Sequence, residues 1–202
     1  MNIFFDLDGT LLDSKMRFYS LFQDLVPFSN ISLDKYWELK RNKIDHKTIL
    51  IKNFNYSEED FNLFEKNFYK KIELNYYLKF DSLVDGTYET LDYLVNKYKL
   101  YLVTMRQKKI NLYTQLKKLN IYKYFFNILI TKHKQEKIKL IRSVQYQNDD
   151  FFIGDTGYDI LTGIRLGMHT IATCYGFSDK QVLIEYKPEF LIDSLSEIFA
   201  IL

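Results

Sequence analysis

Short apolar runs recur along the 202-residue chain near positions 3–7, 100–104, 127–130, 150–153 and 169–174, with helical patterns in most of the intervals between them. Runs this brief, each closed by polar residues, read as buried strands. Strands that alternate with helices predict the α/β class, with a doubly wound parallel sheet and right-handed crossovers. Residues 14–82 break the alternation. They carry no strand signal, while Phe61, Phe64, Phe68 and Ile72 recur at helical spacing and Ser57-Glu58-Glu59-Asp60 reads as a helix start. A stretch of that length is no loop. The pattern therefore predicts a helical domain at 14–82 inserted into a core made of 1–13 and 83–202, the aromatic stripe being the insertion's own core.

Two of the runs end in acid. Ile3-Phe4-Phe5 is followed by Asp6 and Asp8 in FFDLDGTLL, and Phe151-Phe152-Ile153 by Gly154, Asp155 and Asp159 in FFIGDTGYDI. Open α/β sheets bind their ligands beyond the carboxyl ends of the strands, which is where these side chains would project. Asp6 and Asp8 leave the strand on one side of the pleat, and Gly9 lets the backbone turn away. An aspartate is ionised at neutral pH, serves as a nucleophile towards phosphorus and is a hard oxygen ligand for magnesium. Two such charges side by side call for a bound cation or a proton on one of them. A helix starting near Thr156 would place Asp159 in its first turn, at the positive end of the dipole. Each cluster also has a plainer reading: Asp8-Gly9 as a turn, and Asp155 as a helix cap.

Two further elements suit phosphate chemistry. KLYLVTMRQ (99–107) ends its apolar run in Thr104, a hydroxyl able to donate to a phosphoryl oxygen, while Arg106 is read as a solvated residue, with a reach to substrate left open. After the run at 127–130, TKHKQEKIKLI offers Lys132, Lys134 and Lys137 as cations that offset negative charge.

DLDGTLLDS resembles the first motif of the haloacid dehalogenase-like superfamily, most of whose members are magnesium-dependent phosphatases. The resemblance implies that Asp6 forms an aspartyl-phosphate and that Asp8 protonates the leaving group and then activates water. True dehalogenases of the superfamily lack the second aspartate, so Asp8 favours phosphoryl transfer. The resemblance extends to Asp155 and Asp159 as the fourth motif, to Thr104 as the second, with Met105 where an Asn is usual, and to a motif lysine. Lys134, four residues before Ile138, fits that lysine best, with Lys137 in reserve. It implies magnesium held by Asp6, Asp8 through its carbonyl, Asp155 and Asp159. It further implies a Rossmann-like core, a small helical cap at 14–82 and a return to the core at Asp85-Gly86. In motif and cap placement the chain is similar to the phosphoglycolate phosphatase and β-phosphoglucomutase branch.

Composition narrows the field. Lys+Arg of 28 against Asp+Glu of 26 gives a net charge of +2, too balanced to imply nucleic acid or an anionic membrane. The one cysteine, Cys174, excludes an intramolecular disulfide and is read as a packed strand residue. With no run of about 18 apolar residues and no basic-then-apolar amino terminus, a soluble cytoplasmic protein is expected. The seven glycines fall mainly in the motif loops, where backbone freedom is demanded. In the insertion, Arg41, Lys43, His46 and Lys47 are read as a solvated face that leaves open a contact to an anionic substrate tail. The sequence thus predicts a magnesium-dependent phosphatase of a small phosphorylated metabolite. A sugar-phosphate mutase and a non-catalytic magnesium- or phosphate-binding module are the alternatives.

Overall fold

A computed structural model describes residues 1–131 and 136–202. From β1 (Asn2–Phe5) and β2 (Leu12–Asp13) the chain runs into five helices: α1 (Lys15–Leu25), α2 (Leu33–Arg41), α3 (His46–Phe54), α4 (Glu58–Lys71) and α5 (Asn75–Leu78). After β3 (Ser82–Leu83) it alternates through α6 (Thr87–Val95), β4 (Lys99–Thr104), α7 (Lys109–Lys118), β5 (Phe125–Ile130) and α8 (Lys137–Ile141). It closes with β6 (Phe151–Gly154), α9 (Gly157–Leu166), β7 (His169–Thr173), α10 (Lys180–Ile184) and β8 (Phe190–Ile192). Two compact units result: Met1–Asp13 with Leu83–Leu202, and Ser14–Ser82.

The first unit is built on a six-stranded sheet in the order β5-β4-β1-β6-β7-β8, parallel throughout. Side chains alternate across the pleat. Ile3, Phe5, Leu100, Leu102 and Ile153 enter one apolar layer, while Phe4, Tyr101, Val103 and Phe152 enter the opposite one. Both faces are thereby covered, which is why the central strands read as unbroken apolar runs rather than alternating ones. Phe5 lies level with Leu102 on one side and Ile153 on the other, so β1, β4 and β6 end nearly flush. The strand order reverses about β1, and that is the place where open sheets form a ligand crevice.

Five of the six strands fall on the runs read from the sequence. β8 does not, because three residues following Pro188 carry too little apolar signal to register as a strand. Edge strand β5 keeps a polar Asn127 and an exposed Phe126, whose ring packs edge-on against Tyr101.

The second unit is helical. Ser57 and Asp60 form a reciprocal capping box that starts α4. From α4, Phe64 and Phe68 reach a core with Leu21, Phe22, Tyr36, Ile49 and Leu50. His46, read from sequence as a surface residue, instead packs within that core. Its ring stacks on Phe22 and Tyr36, lies 4.6 Å from the Phe68 centroid and shares a 2.8 Å hydrogen bond with the Tyr36 hydroxyl. The reason is helical phase: His46 opens α3, three residues ahead of buried Ile49, and so lies on the same face. Its neighbour Lys47 pairs with Glu58 at 2.8 Å. Arg17 and Asp81 form a fully buried 3.1 Å ion pair between the unit's first helix and its last turn.

Candidate active site

β1 delivers Asp6 to the sheet's carboxyl end, where its N–H donates to the Ile153 carbonyl at 2.9 Å and its carboxylate is buried. The chain then doubles back, with the Leu7 carbonyl accepting from Leu11 and Leu12. Gly9 adopts φ +90°, and a Cβ there would lie 2.1 Å from Asp155 Oδ2. Glycine is required twice over, by conformation and by space.

β6 delivers Asp155, whose Oδ2 accepts from the Phe177 N–H at 2.6 Å and whose Oδ1 accepts from the Thr10 hydroxyl at 3.3 Å. The loop after β7 approaches so closely that a Cβ on Gly176 would meet the same carboxylate oxygen at 2.3 Å. The helix-cap role considered for Asp155 falls instead on Thr156 and Asp159, which form a capping box at the start of α9. That bond uses Asp159 Oδ2, while Asp159 Oδ1 accepts from Lys137 Nζ at 2.6 Å. Lys137 Nζ also donates to Asp6 Oδ1. One buried ammonium therefore ties the β1 carboxylate to the α9 carboxylate.

One carboxylate oxygen from each of Asp6, Asp155 and Asp159 lies within 4.8 Å of the other two, and all three residues are buried. Three carboxylates against one ammonium leave an excess of negative charge out of water, and the protonation equilibria record it. Burial, opposed by Lys137, pushes Asp6 up to about 7. Burial together with Asp6 and Asp159 lifts Asp155 well above the usual carboxylate range. Burial works against the Lys137 ammonium, yet Asp159 and Asp6 hold its pKa above the ordinary lysine value. A divalent cation would relieve this repulsion, and an all-oxygen donor set suits a hard ion such as Mg²⁺. The residues present fit the metal that the sequence implied.

The carboxylate of Asp8 stands apart from that cluster. Arg106 grips it with both arms of its fork, Nε to Oδ2 at 2.6 Å and Nη2 to Oδ1 at 2.8 Å. Arg106 is 4% exposed, which corrects the solvated reading given to it from sequence. Thr104, buried at the end of β4, accepts the Arg106 backbone N–H at 3.3 Å, leaving its own proton as the donor. Lys134 and Lys132 lie outside the described residues, and it is Lys137 whose ammonium reaches Asp6. Sequence reasoning missed three supports, namely Thr10, the Phe177 N–H and the grip of Arg106 on Asp8, Arg106 having been weighed only as a solvated residue or a substrate contact. Only Arg106 had a signal, since it sits two residues beyond Thr104 at a strand end and so on the same side of the chain.

A doubly wound parallel sheet whose central strand ends in an aspartate gripped by a buried lysine, beside two further carboxylates, defines a class of hydrolytic α/β enzymes. The family model for haloacid dehalogenase-like hydrolases matches residues 3–173, and the chain belongs to that family. A pyrophosphatase, PpaX, from Bacillus cereus (strain B4264) is 26% identical over 226 residues, spanning 99% of this chain and 95% of that protein. Among solved structures, one described as a predicted phosphoglycolate phosphatase from Haemophilus somnus superposes with TM-score 0.73 at 20% identity, covering 99% of this chain and 96% of the other. The HAD-hydrolase YfnB from Bacillus subtilis, solved bound to magnesium, superposes with TM-score 0.69 at 18% identity, covering 99% and 97%. Among the described residues, no helix is long and apolar enough to cross a membrane.

Proposed function

We propose that the chain is a magnesium-dependent phosphatase that hydrolyses a small phosphorylated metabolite through an aspartyl-phosphate on Asp6. The observation that carries this reading is the Asp6 carboxylate, fixed at the end of the central strand by Lys137 and crowded by Asp155 and Asp159. A carboxylate so placed is pre-positioned for attack, and its position does not have to be found during the reaction.

Asp6 forms a bond to phosphorus as the bond from phosphorus to the leaving oxygen breaks, and Asp8 gives that oxygen a proton. Water then attacks the same phosphorus, Asp8 takes the water's proton, and the bond from phosphorus to Asp6 breaks to release inorganic phosphate. Thr104 donates to a phosphoryl oxygen, and Lys137 opposes the burial that raises the Asp6 pKa and offsets charge on the transferring group. Asp6, Asp155 and Asp159, with the Asp8 carbonyl, would hold Mg²⁺, which when bound neutralises phosphoryl charge. The helical unit at Ser14–Ser82 is read as a cap domain of the family's kind. The names of the relatives, pyrophosphatase and phosphoglycolate phosphatase, both denote small phosphorylated substrates and support the substrate class.

The test is phosphate release from p-nitrophenyl phosphate with and without Mg²⁺, in the wild type and in Asp6→Asn. Release is expected only with metal, and the substitution is expected to lower it by at least about 1000-fold, as removal of a nucleophile does. Substantial turnover by Asp6→Asn would take the nucleophile's role away from Asp6.

A further inference from the structure

Charge is not spread evenly along the chain. Between Asp92 and Glu136 the sequence holds ten basic residues and no acidic one, so this stretch carries +10 and the rest of the chain −8. The total of +2 conceals that division, and a partner meets the distribution of charge rather than its sum. The stretch includes β4, α7 and β5 at one edge of the sheet, and its one arginine, Arg106, is buried against Asp8. Lys109, Lys117, Lys118 and Lys123 are exposed on α7 and on the single turn Tyr122–Tyr124 that follows it. Among the described residues, none of these four has an acid within ion-pair distance. Elsewhere on the surface Lys35, Lys47, Lys139 and Lys180 each pair with one. Asp92, at the edge of the stretch, accepts instead from the Tyr124 hydroxyl at 2.6 Å.

Aromatic rings lie between the ammonium groups. Lys109 Nζ stands 5.3 Å from the centre of the Tyr113 ring, the Tyr113 and Tyr122 rings are 5.4 Å apart, and Lys117 Nζ stands 5.3 Å from the centre of Tyr122. Tyr122 is 38% exposed, so its ring is open to a partner. Lys109 and Lys117 sit eight residues apart on one helix, about 12 Å along its axis. That separation is too long for one small anion and suits an extended one. Helices that lie on membranes put charge on one face and apolar groups on the opposite one. Here cations and rings share a face, which matches a ligand whose phosphates and bases alternate. Lysines also lack the planar fork that reads base edges. We propose that the outer face of α7 and the turn after it is a docking surface for single-stranded nucleic acid, held without sequence preference by the four lysines on its phosphates and by Tyr122 on a base. The surface stands independently of the phosphatase reading, since none of its residues belongs to the active site.

The experiment titrates the whole chain into fluorescein-labelled oligothymidylate of about 20 nucleotides, and into duplex DNA of the same length, and follows fluorescence anisotropy across a range of salt. For the oligothymidylate, the logarithm of the binding constant is expected to fall against that of salt with a slope of about −3, four lysines at about 0.7 each. The double substitution Lys109→Gln, Lys117→Gln is expected to make that slope shallower by about 1. Tyr122→Leu is expected to weaken oligothymidylate binding by about 10-fold, the scale of one lost base stack, and to leave duplex binding as it was, because a duplex keeps its base faces covered. Circular dichroism confirms that each variant is folded, without reference to any catalytic activity. Absence of binding at about 50 mM salt would overturn the proposal, as would a slope that the lysine substitutions leave unchanged. A Tyr122→Leu loss equal on single strand and duplex would overturn it as well, since that is the mark of a structural role. Sedimentation with phosphatidylserine vesicles in the absence of oligonucleotide binding would overturn it and assign the face to a membrane surface.

Discussion

Gly9 shows how tightly single residues constrain the site. Its φ of +90° belongs to glycine, and the space a Cβ needs is filled by Asp155 Oδ2 at 2.1 Å. Gly9→Ala cannot relieve the second problem by a rotamer change, because the obstacle is a carboxylate that the Phe177 N–H and Thr10 hold in place. The left-handed conformation costs about 1–2 kcal/mol for a residue with a Cβ, while displacement of Asp155 strikes the site directly. Gly9→Ala is therefore expected to lose at least about 100-fold in phosphate release, the scale on which a small misplacement acts, with only a modest fall in melting temperature. A variant that unfolds before it loses activity would mean that the glycine serves the fold instead. The acids themselves were legible because each interrupts an apolar run, and a carboxylate at the end of a buried strand has few structural uses. The cations were not. Lysine is common on surfaces, so the spacing to Ile138 was the only guide offered, whereas Lys137 reaches Asp6 as the first residue of α8.

At the level of elements, the helical unit owes its order to aromatic packing about α4, and that was readable from Phe64, Phe68 and Ile72 at helical spacing. What the pattern missed is the half-buried polar ring packed against it. His46 passes for a surface residue because its neighbours in sequence, Asp45 and Lys47, are charged, and only the assembled helices show its ring among Phe22, Tyr36 and Phe68. Burial, aided by Lys40, holds His46 well below the ordinary histidine value of 6.5. It is neutral in the folded unit, so as the pH falls past about 6.5 the unfolded chain binds the proton first. The stability it supports is present above that value and is lost progressively below it. Melting curves at pH 7.5 and 5.5 are expected to differ more for the wild type than for His46→Asn, and parallel behaviour would show that another group sets the acid sensitivity.

For the whole molecule, the decisive quantity is the charge gathered at one end of the sheet. Asp6, Asp8, Asp155 and Asp159 face Lys137 and Arg106, two more carboxylates than cations. A ligand that binds only the folded form stabilises it by about 2.7 kcal/mol at a hundred times its Kd. For a chain of this size that corresponds to roughly 5–10 °C in melting temperature. Millimolar Mg²⁺ is expected to raise the melting temperature on that scale, EDTA to reverse the gain, and Asp155→Asn to abolish most of it. No shift in the wild type would remove the cation from the site.

The sheet order carries one more implication. The strand made first from the amino terminus, β1, occupies the middle of the finished sheet, with β4 on one side and β6 on the other. During synthesis its β4 side can be filled once residues 99–104 have emerged, its β6 side stays vacant until residues 151–154 follow, and the Phe177 N–H that steadies Asp155 emerges later still. A chain interrupted before residue 177 therefore lacks the N–H that holds Asp155 Oδ2, although all four acidic side chains of the site have already been made.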